Sequence, residues 1–206
     1  MQPSSREGDE NSRSFIEIAR RGQIVECAIE TIAELGYAQA SLAQIAKRAK
    51  ISKGVISYHF TSKSDLMQQI ISDVFTMGGA FMQPRIAAEK TTSGMLRAYI
   101  ESNIAFMRTH RPHLVALVDI VTNARADDGK PLLDASKYDP AIAELGALLQ
   151  GGQERGEFGP FSPSVMAVSI RAAIDAIPPQ MARKPDLDLD SYARELADLF
   201  ERATRK

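Results

Sequence analysis

Apolar residues recur along this chain at helical spacing. Val25, Ala28, Ile29, Ile32 and Leu35 form one stripe over residues 13–36, which Gly36 closes as a C-cap. Leu42, Ile45, Ala46 and Ala49 fall at i, i+3, i+4 and i+7, and Ser41 with Gln44 reads as a capping box that starts this second helix. Ser52 is a good N-cap for a third, short helix whose Ile56 and Phe60 face inward. Ser62 and Asp65 repeat the capping pattern, so a fourth helix starts at Lys63 and continues through Leu66, Ile70, Val74 and Phe75. Gly78-Gly79 weakens it, as a hinge or a point of close packing, and Pro84 is expected to kink or end it.

Further along, Leu96, Ile100, Asn103 and Met107 share a stripe over residues 93–109. A helix from Pro112 to about Thr122 is apolar nearly all round, as a central buried helix would be. Residues 123–139 read as loop, followed by a helix from Pro140 to about Arg155 that Gly156, Gly159 and Pro160 break. Ser162-Pro163 opens a helix over 164–177, stopped by Pro178-Pro179. The last helix begins near Asp188 or Asp190 and carries Tyr192, Leu196, Leu199, Phe200 and Ala203. The pattern predicts an all-α chain of about nine helices.

Composition changes this picture little. At 206 residues and 44% hydrophobic content the chain can bury a sizeable core. A net charge of −1 means that only local charge argues for nucleic acid. Cys27 is the sole cysteine, which excludes an internal disulfide and fits a reducing cytoplasm. No apolar run approaches the ~18 residues of a membrane span. Residues 1–12 are polar, lack a signal-peptide core and are expected to be a disordered arm.

One stretch departs from the charge balance. Ser41 to Lys63 holds Lys47, Arg48, Lys50, Lys53 and Lys63 and no acidic residue. Such a patch attracts polyanions, because neutralised phosphates release counterions. With Ile56 and Phe60 turned inward, Lys53, Val55, Ser57, Tyr58 and His59 face out, a set suited to a major groove. Lys63 sits in the first turn of its helix, where a cation is disfavoured; a nearby phosphate resolves that conflict, and extension into water costs little. Arg20 and Arg21 read as a solvated face or a contact to the DNA backbone.

The run Ser52-Lys53-Gly54-Val55-Ile56-Ser57-Tyr58-His59-Phe60, with Lys63 and Leu66, resembles the helix-turn-helix of the tetracycline-repressor (TetR) family over about Ile16 to Ile70. The resemblance implies a DNA-binding head over 13–60 and a ligand-binding and dimerisation body over 61–206. Lys53 would read bases, Gly54 would let the backbone approach, Val55 would meet a thymine methyl, and Ser41, Tyr58, His59 and Lys63 would hold phosphates; Ser52 and Ser57 complete the DNA-binding set. Two residues depart from the family. Lys50 stands at the turn where glycine is usual, at about 1 kcal/mol if its φ is positive, and Ser57 stands where many members have tyrosine.

In the body, Asn103, Met107 and Asp119 are polar or adaptable residues on apolar helices and are the expected ligand-binding set. Arg171 and Asp175 are spaced to pair with each other. The helices at 164–177 and 190–203 are expected to form a homodimer as a four-helix bundle with their copies. No nucleotide-binding, nucleophile-elbow or zinc motif is present, so no catalytic set, metal or cofactor is assigned. His110 and His113, three apart, read as surface or capping residues before a metal pair. The reading is a non-enzymatic, ligand-responsive repressor binding a double-stranded DNA operator as a homodimer and released by a small hydrophobic effector. The alternative is a helical ligand-binding or scaffold protein without specific DNA binding.

Overall fold

The head is assembled from α1 (Ser5–Leu35), α2 (Leu42–Ala49) and α3 (Lys53–His59). Ile24, Val25, Ala28, Ile29 and Ile32 of α1 are buried with Ile45 and Ala46 of α2, Ile56 of α3, and Phe60. The expected caps form. Ser41 Oγ accepts the Gln44 N–H at 3.2 Å and Ser52 Oγ accepts the Val55 N–H at 3.4 Å, each contributing about 1 kcal/mol to its helix. The computed structural model describes residues 5–126, 128–133, 139–184 and 186–206. The arm expected over 1–12 is helical from Ser5 onward; polarity alone does not break a helix, and the segment extends α1 by residues that, Gly8 apart, are no helix breakers.

Lys50 closes α2 in the left-handed region, at φ 54° and ψ 42°, with its N–H directed at the Ala46 and Lys47 carbonyls. A side chain there costs about 1 kcal/mol, while glycine carries an unfolded-state penalty of about 0.5 kcal/mol. Lys50→Gly is therefore expected to stabilise the chain by about 0.5 kcal/mol and to raise the melting temperature by about 1–2 °C. A calorimetric scan checks this; a lower melting temperature would show that the lysine side chain contributes more than the turn strain costs.

The body holds α4 (Lys63–Ala87), α5 (Thr92–Thr109), α6 (Arg111–Asn123), α7 (Asp139–Glu154), α8 (Pro163–Asp175), α9 (Ile177–Arg183) and α10 (Leu189–Thr204). Helix α5 is the axis: α4 lies along it on one side and α10 on another, while α7 and α8 pack on each other and on it. Helix α6 bridges α1 and α4. Ten helices lie among the described residues, and the addition to the expected series is α9. Pro178-Pro179 was expected only to stop a helix at 177; instead α8 ends at Asp175 and both prolines sit in the first turn of α9, where a missing N–H costs nothing. Residues 127 and 134–138 of the expected loop lie outside the described residues.

Helix α4 runs unbroken through Gly78-Gly79 and Pro84. Gly78 is buried, and a Cβ there would lie 3.5 Å from the Phe106 ring, whereas one at Gly79 meets nothing within 4 Å. Gly78 thus lies against the Phe106 ring at a distance that an added methyl would meet as ordinary contact. On the far side, α8 turns Ala167, Ile170 and Ile174 inward and leaves Val165 and Val168 exposed; α10 buries Ala193, Leu196, Ala197 and Phe200 and leaves Leu199 exposed. Arg97 of α5 pins α10 through Glu201 at 2.7 Å and Asp198 at 2.5 Å, and is steadied within its own helix by Glu101 at 2.9 Å; these carboxylates hold its guanidinium well above the usual arginine range.

Candidate nucleic-acid interface and the joint behind it

Helix α3 presents Lys53, Gly54, Ser57 and Tyr58 to solvent, with Val55 and His59 half-buried at its edges. Ser57 Oγ donates to the Lys53 carbonyl at 3.3 Å, and the Tyr58 and His59 rings meet edge-on at 5.0 Å. Tyr58 is 75% exposed, a large ring held out where only a partner would cover it. Ser41 and Ser52 are also exposed; their oxygens accept the cap bonds and their hydroxyl hydrogens remain available to an anion.

The basic patch is smaller than its sequence suggests. Lys47, Lys50 and Lys53 are exposed. Arg48 turns back to α1 and pairs with Glu30 at 3.3 Å and with Glu34, which raises its pKa. Lys63 also points inward, as described below.

Two side chains of α1 brace the reading unit from behind. Arg21 donates to the His59 carbonyl at the end of α3 at 2.7 Å, donates to Gln69 Oε1 at 2.7 Å, and lies 4.3 Å from the Phe60 ring centroid. Gln23 donates to the Ala49 carbonyl at the end of α2 at 3.3 Å. Arg21 is therefore a structural clamp rather than a solvated or DNA-facing residue. Beside it, Glu17, Ile18, Arg21, Tyr58 and His59 line a hollow of about 230 Å³.

Behind the head, three elements meet at Tyr37. Gly36 adopts φ +82° and a Cβ there would lie 3.5 Å from Asp119 Oδ2, so the α1–α2 turn comes close to α6. The Tyr37 N–H donates to Asp119 Oδ2 at 2.6 Å, and Asn123 Nδ2 donates to Asp119 Oδ1 at 2.5 Å. Lys63 Nζ donates to the Tyr37 carbonyl at 2.7 Å and lies 4.0 Å from the Tyr37 ring centroid. Burial draws the Lys63 amine below the usual lysine range, and the charge of Asp119 opposes that shift. His113 on α6 faces Glu26 on α1 at 3.4 Å.

This geometry places two of the expected site residues, Asp119 and Lys63, at the joint. Asp119 is half-buried and each of its oxygens accepts a hydrogen bond at the joint, because α6 packs on the head as well as on the body. Lys63 does not extend toward the reading face; the Tyr37 carbonyl, the Tyr37 ring and Asp119 take its charge.

Asn103 and Met107 are buried on α5. Asn103 donates to its own helix at the Tyr99 carbonyl, 2.8 Å, and accepts from Arg171 Nη1 at 3.2 Å. Arg171 also reaches the Tyr99 hydroxyl at 3.3 Å and pairs with Asp175 at 2.7 Å, as its spacing predicted. Burial depresses the Arg171 guanidinium, but Tyr99 and Asp175 outweigh it and its pKa ends above the usual value. A shallow groove of about 450 Å³ lies elsewhere, on α7 and the start of α8, lined by Ile142, Gly146 and Pro163 among others. His110 stacks on Phe106 at 4.4 Å, and among the described residues no three His, Cys, Asp or Glu are grouped to hold a metal. Nor is any helix among them long and apolar enough to cross a membrane. Cys27 is half-buried and its thiol is pushed up by burial and by Glu30.

Residues 24–70 match the profile of the bacterial regulatory proteins, tetR family. The HTH-type transcriptional regulator BetI 1 of Chromohalobacter salexigens is 34% identical over 85 residues, 41% of this chain and 42% of that protein. BetI of Cronobacter sakazakii is 30% identical over 102 residues, 48% of this chain and 50% of that protein. The chain thus spans about half the length, or less, of these curated relatives. Among solved structures, the fatty acid degradation regulator FadR from Bacillus halodurans superimposes with a TM-score of 0.78 at 19% identity, covering 88% of this chain and 94% of that one. AibR, solved with isovaleryl coenzyme A and operator DNA, gives 0.71 at 19% identity, covering 90% and 97%. At these identities the structural likeness shows the shared fold.

Proposed function

We propose, from the premise that this chain belongs through residues 24–70 to the TetR family of bacterial DNA-binding transcriptional regulators, that it acts as a ligand-responsive repressor. Two copies bind a near-palindromic operator, each placing α3 in a major groove. One observation carries this reading: α3 is exposed along Lys53, Gly54, Ser57 and Tyr58 while Arg21 and Gln23 hold the carbonyl ends of α3 and α2 from behind. Lys53, at the N-terminal end of α3, reaches base edges, Val55 meets a thymine methyl, and Ser41, Ser52, Ser57, Tyr58 and His59 hold phosphates. The two copies meet through α8 and α10, where Val165, Val168 and Leu199 are left uncovered.

The effector reading rests on Asn103 and Met107. Asn103 with Arg171 makes a polar pair where the apolar stripes of α5 and α8 face each other, which suits a mostly hydrophobic ligand with one polar group. AibR holds isovaleryl coenzyme A, so acyl thioesters are sensible first compounds to screen. Selection from random duplex DNA over a salt series tests the function. An enriched palindrome, bound by a dimer and weakened steeply by salt, supports it. No enrichment turns the reading to a helical ligand-binding or scaffold protein.

A further inference from the structure

We infer that Arg171 is the anion-reading residue of the effector site, and that the compound it takes is an amphipathic carboxylate, an apolar chain or ring ending in a carboxyl group. This deepens the effector reading and rests on it.

Arg171 belongs to α8 but reaches across to α5, and the two edges of its guanidinium have different surroundings. On the outer edge, Nε and Nη2 donate at 3.1 and 2.7 Å to one and the same oxygen, Oδ1 of the exposed Asp175. On the inner edge, Nη1 meets neutral oxygens, the Tyr99 hydroxyl at 3.3 Å and Asn103 Oδ1 at 3.2 Å. Both bonds are at the long end of the usual range, and a carboxylate binds such an edge more strongly than a neutral oxygen does. Among the described residues the Tyr99 hydroxyl accepts from Arg171 and donates to none, so its hydrogen is free to join the guanidinium on an anion. The neighbours supply the apolar part of the site. Ile170, beside Arg171, is buried, and Met107, one turn beyond Asn103 on α5, is a buried side chain that adapts to irregular partners. Helix α8 packs chiefly on α7 and only lightly on α5, which makes this seam the place where a hydrocarbon chain enters. There a carboxylate gains a charge-assisted bond that an alcohol of the same length forgoes, and an amine is repelled.

The test is calorimetric titration of the full chain with hexanoate, decanoate and phenylacetate, and with the matching alcohols. At least one carboxylate is expected to bind about 10- to 100-fold more tightly than its alcohol, the range of a hydrogen bond to a charged group. Arg171→Met is expected to abolish that preference. Asp175→Asn, which takes the competing carboxylate from the outer edge, is expected to tighten the acid about two- to fivefold, as for an exposed ion pair. Should Arg171→Met fail to give a helical circular dichroism spectrum, Tyr99→Phe removes the hydroxyl alone and should weaken the acid about two- to tenfold while leaving the alcohol unchanged. Alcohols that bind as tightly as the acids would overturn the proposal, as would a preference that survives Arg171→Met or binding by none of the carboxylates. Operator release is read separately. A carboxylate that binds through Arg171 and leaves DNA binding unchanged keeps this site and removes the effector reading; an acyl thioester that releases the operator while no carboxylate binds keeps that reading and removes this site.

Discussion

Val168→Asp is expected to leave the chain folded and monomeric. Val165, Val168 and Leu199 are 65%, 52% and 51% exposed on α8 and α10, while the opposite faces of both helices are fully used by the body. Fully burying a valine contributes about 1.5–3 kcal/mol, so covering the half of Val168 that is still exposed contributes about half of that, and two-fold symmetry counts it twice. Losing both copies removes roughly 1.5–3 kcal/mol, before the cost of desolvating two carboxylates across the axis. The dimer dissociation constant should rise at least about 10- to 100-fold. Sedimentation at micromolar concentration reads the change, with circular dichroism to establish that the helices persist. An unchanged dimer would place the interface elsewhere, with the groove on α7 the next surface to probe. Operator binding should fall with dimerisation, because each head alone grips only half a site.

The second large effect is on sequence discrimination. Lys53→Ala should lower the ratio of operator to random-DNA affinity by about 10- to 100-fold per head, the value of one good contact to a guanine edge. The side chain is exposed at the first turn of α3, and that turn holds no acidic residue, so its loss should cost the fold little. A phosphate contact would behave differently: affinity for all DNA would drop together and the ratio would hold. An unchanged ratio in competition titrations would remove Lys53 from base reading and move the search to Ser57 and Tyr58.

The head was largely legible because its signals are local. Ser41, Ser52 and Ser62 cap their helices as their spacing to Gln44, Val55 and Asp65 predicted, and Ile56 and Phe60 turn inward because a seven-residue helix has only one face to bury. What was not legible depends on contacts distant in sequence. Arg48 and Lys47 look alike in a basic run, yet only Arg48 faces Glu30 and Glu34, which precede it by more than a dozen positions. Asp119 lies in a helix apolar nearly all round, where a lone carboxylate reads as a pocket residue; its partner is a backbone N–H 82 positions away. Arg21 sat one turn before the buried stripe of α1, and nothing in its neighbours foretold that a carbonyl at the end of α3 would need a donor there. Gly36-Tyr37 marked the turn but not what the turn touches.

The clamps on α1 also bear on what an effector does to the protein. Since Arg21 and Gln23 tie both reading helices to one long helix, α2 and α3 are expected to keep their mutual placement when the body moves the head. On the proposed function, an effector-bound dimer would then still present two intact reading units, set at another spacing. Each base pair inserted between half-sites moves them apart by about 3.4 Å and turns one about the DNA axis by about 35°, so a body that changes both the separation and the rotation of the heads should shift the preference among operators of different central length. Induction, on this arrangement, is a change of gauge.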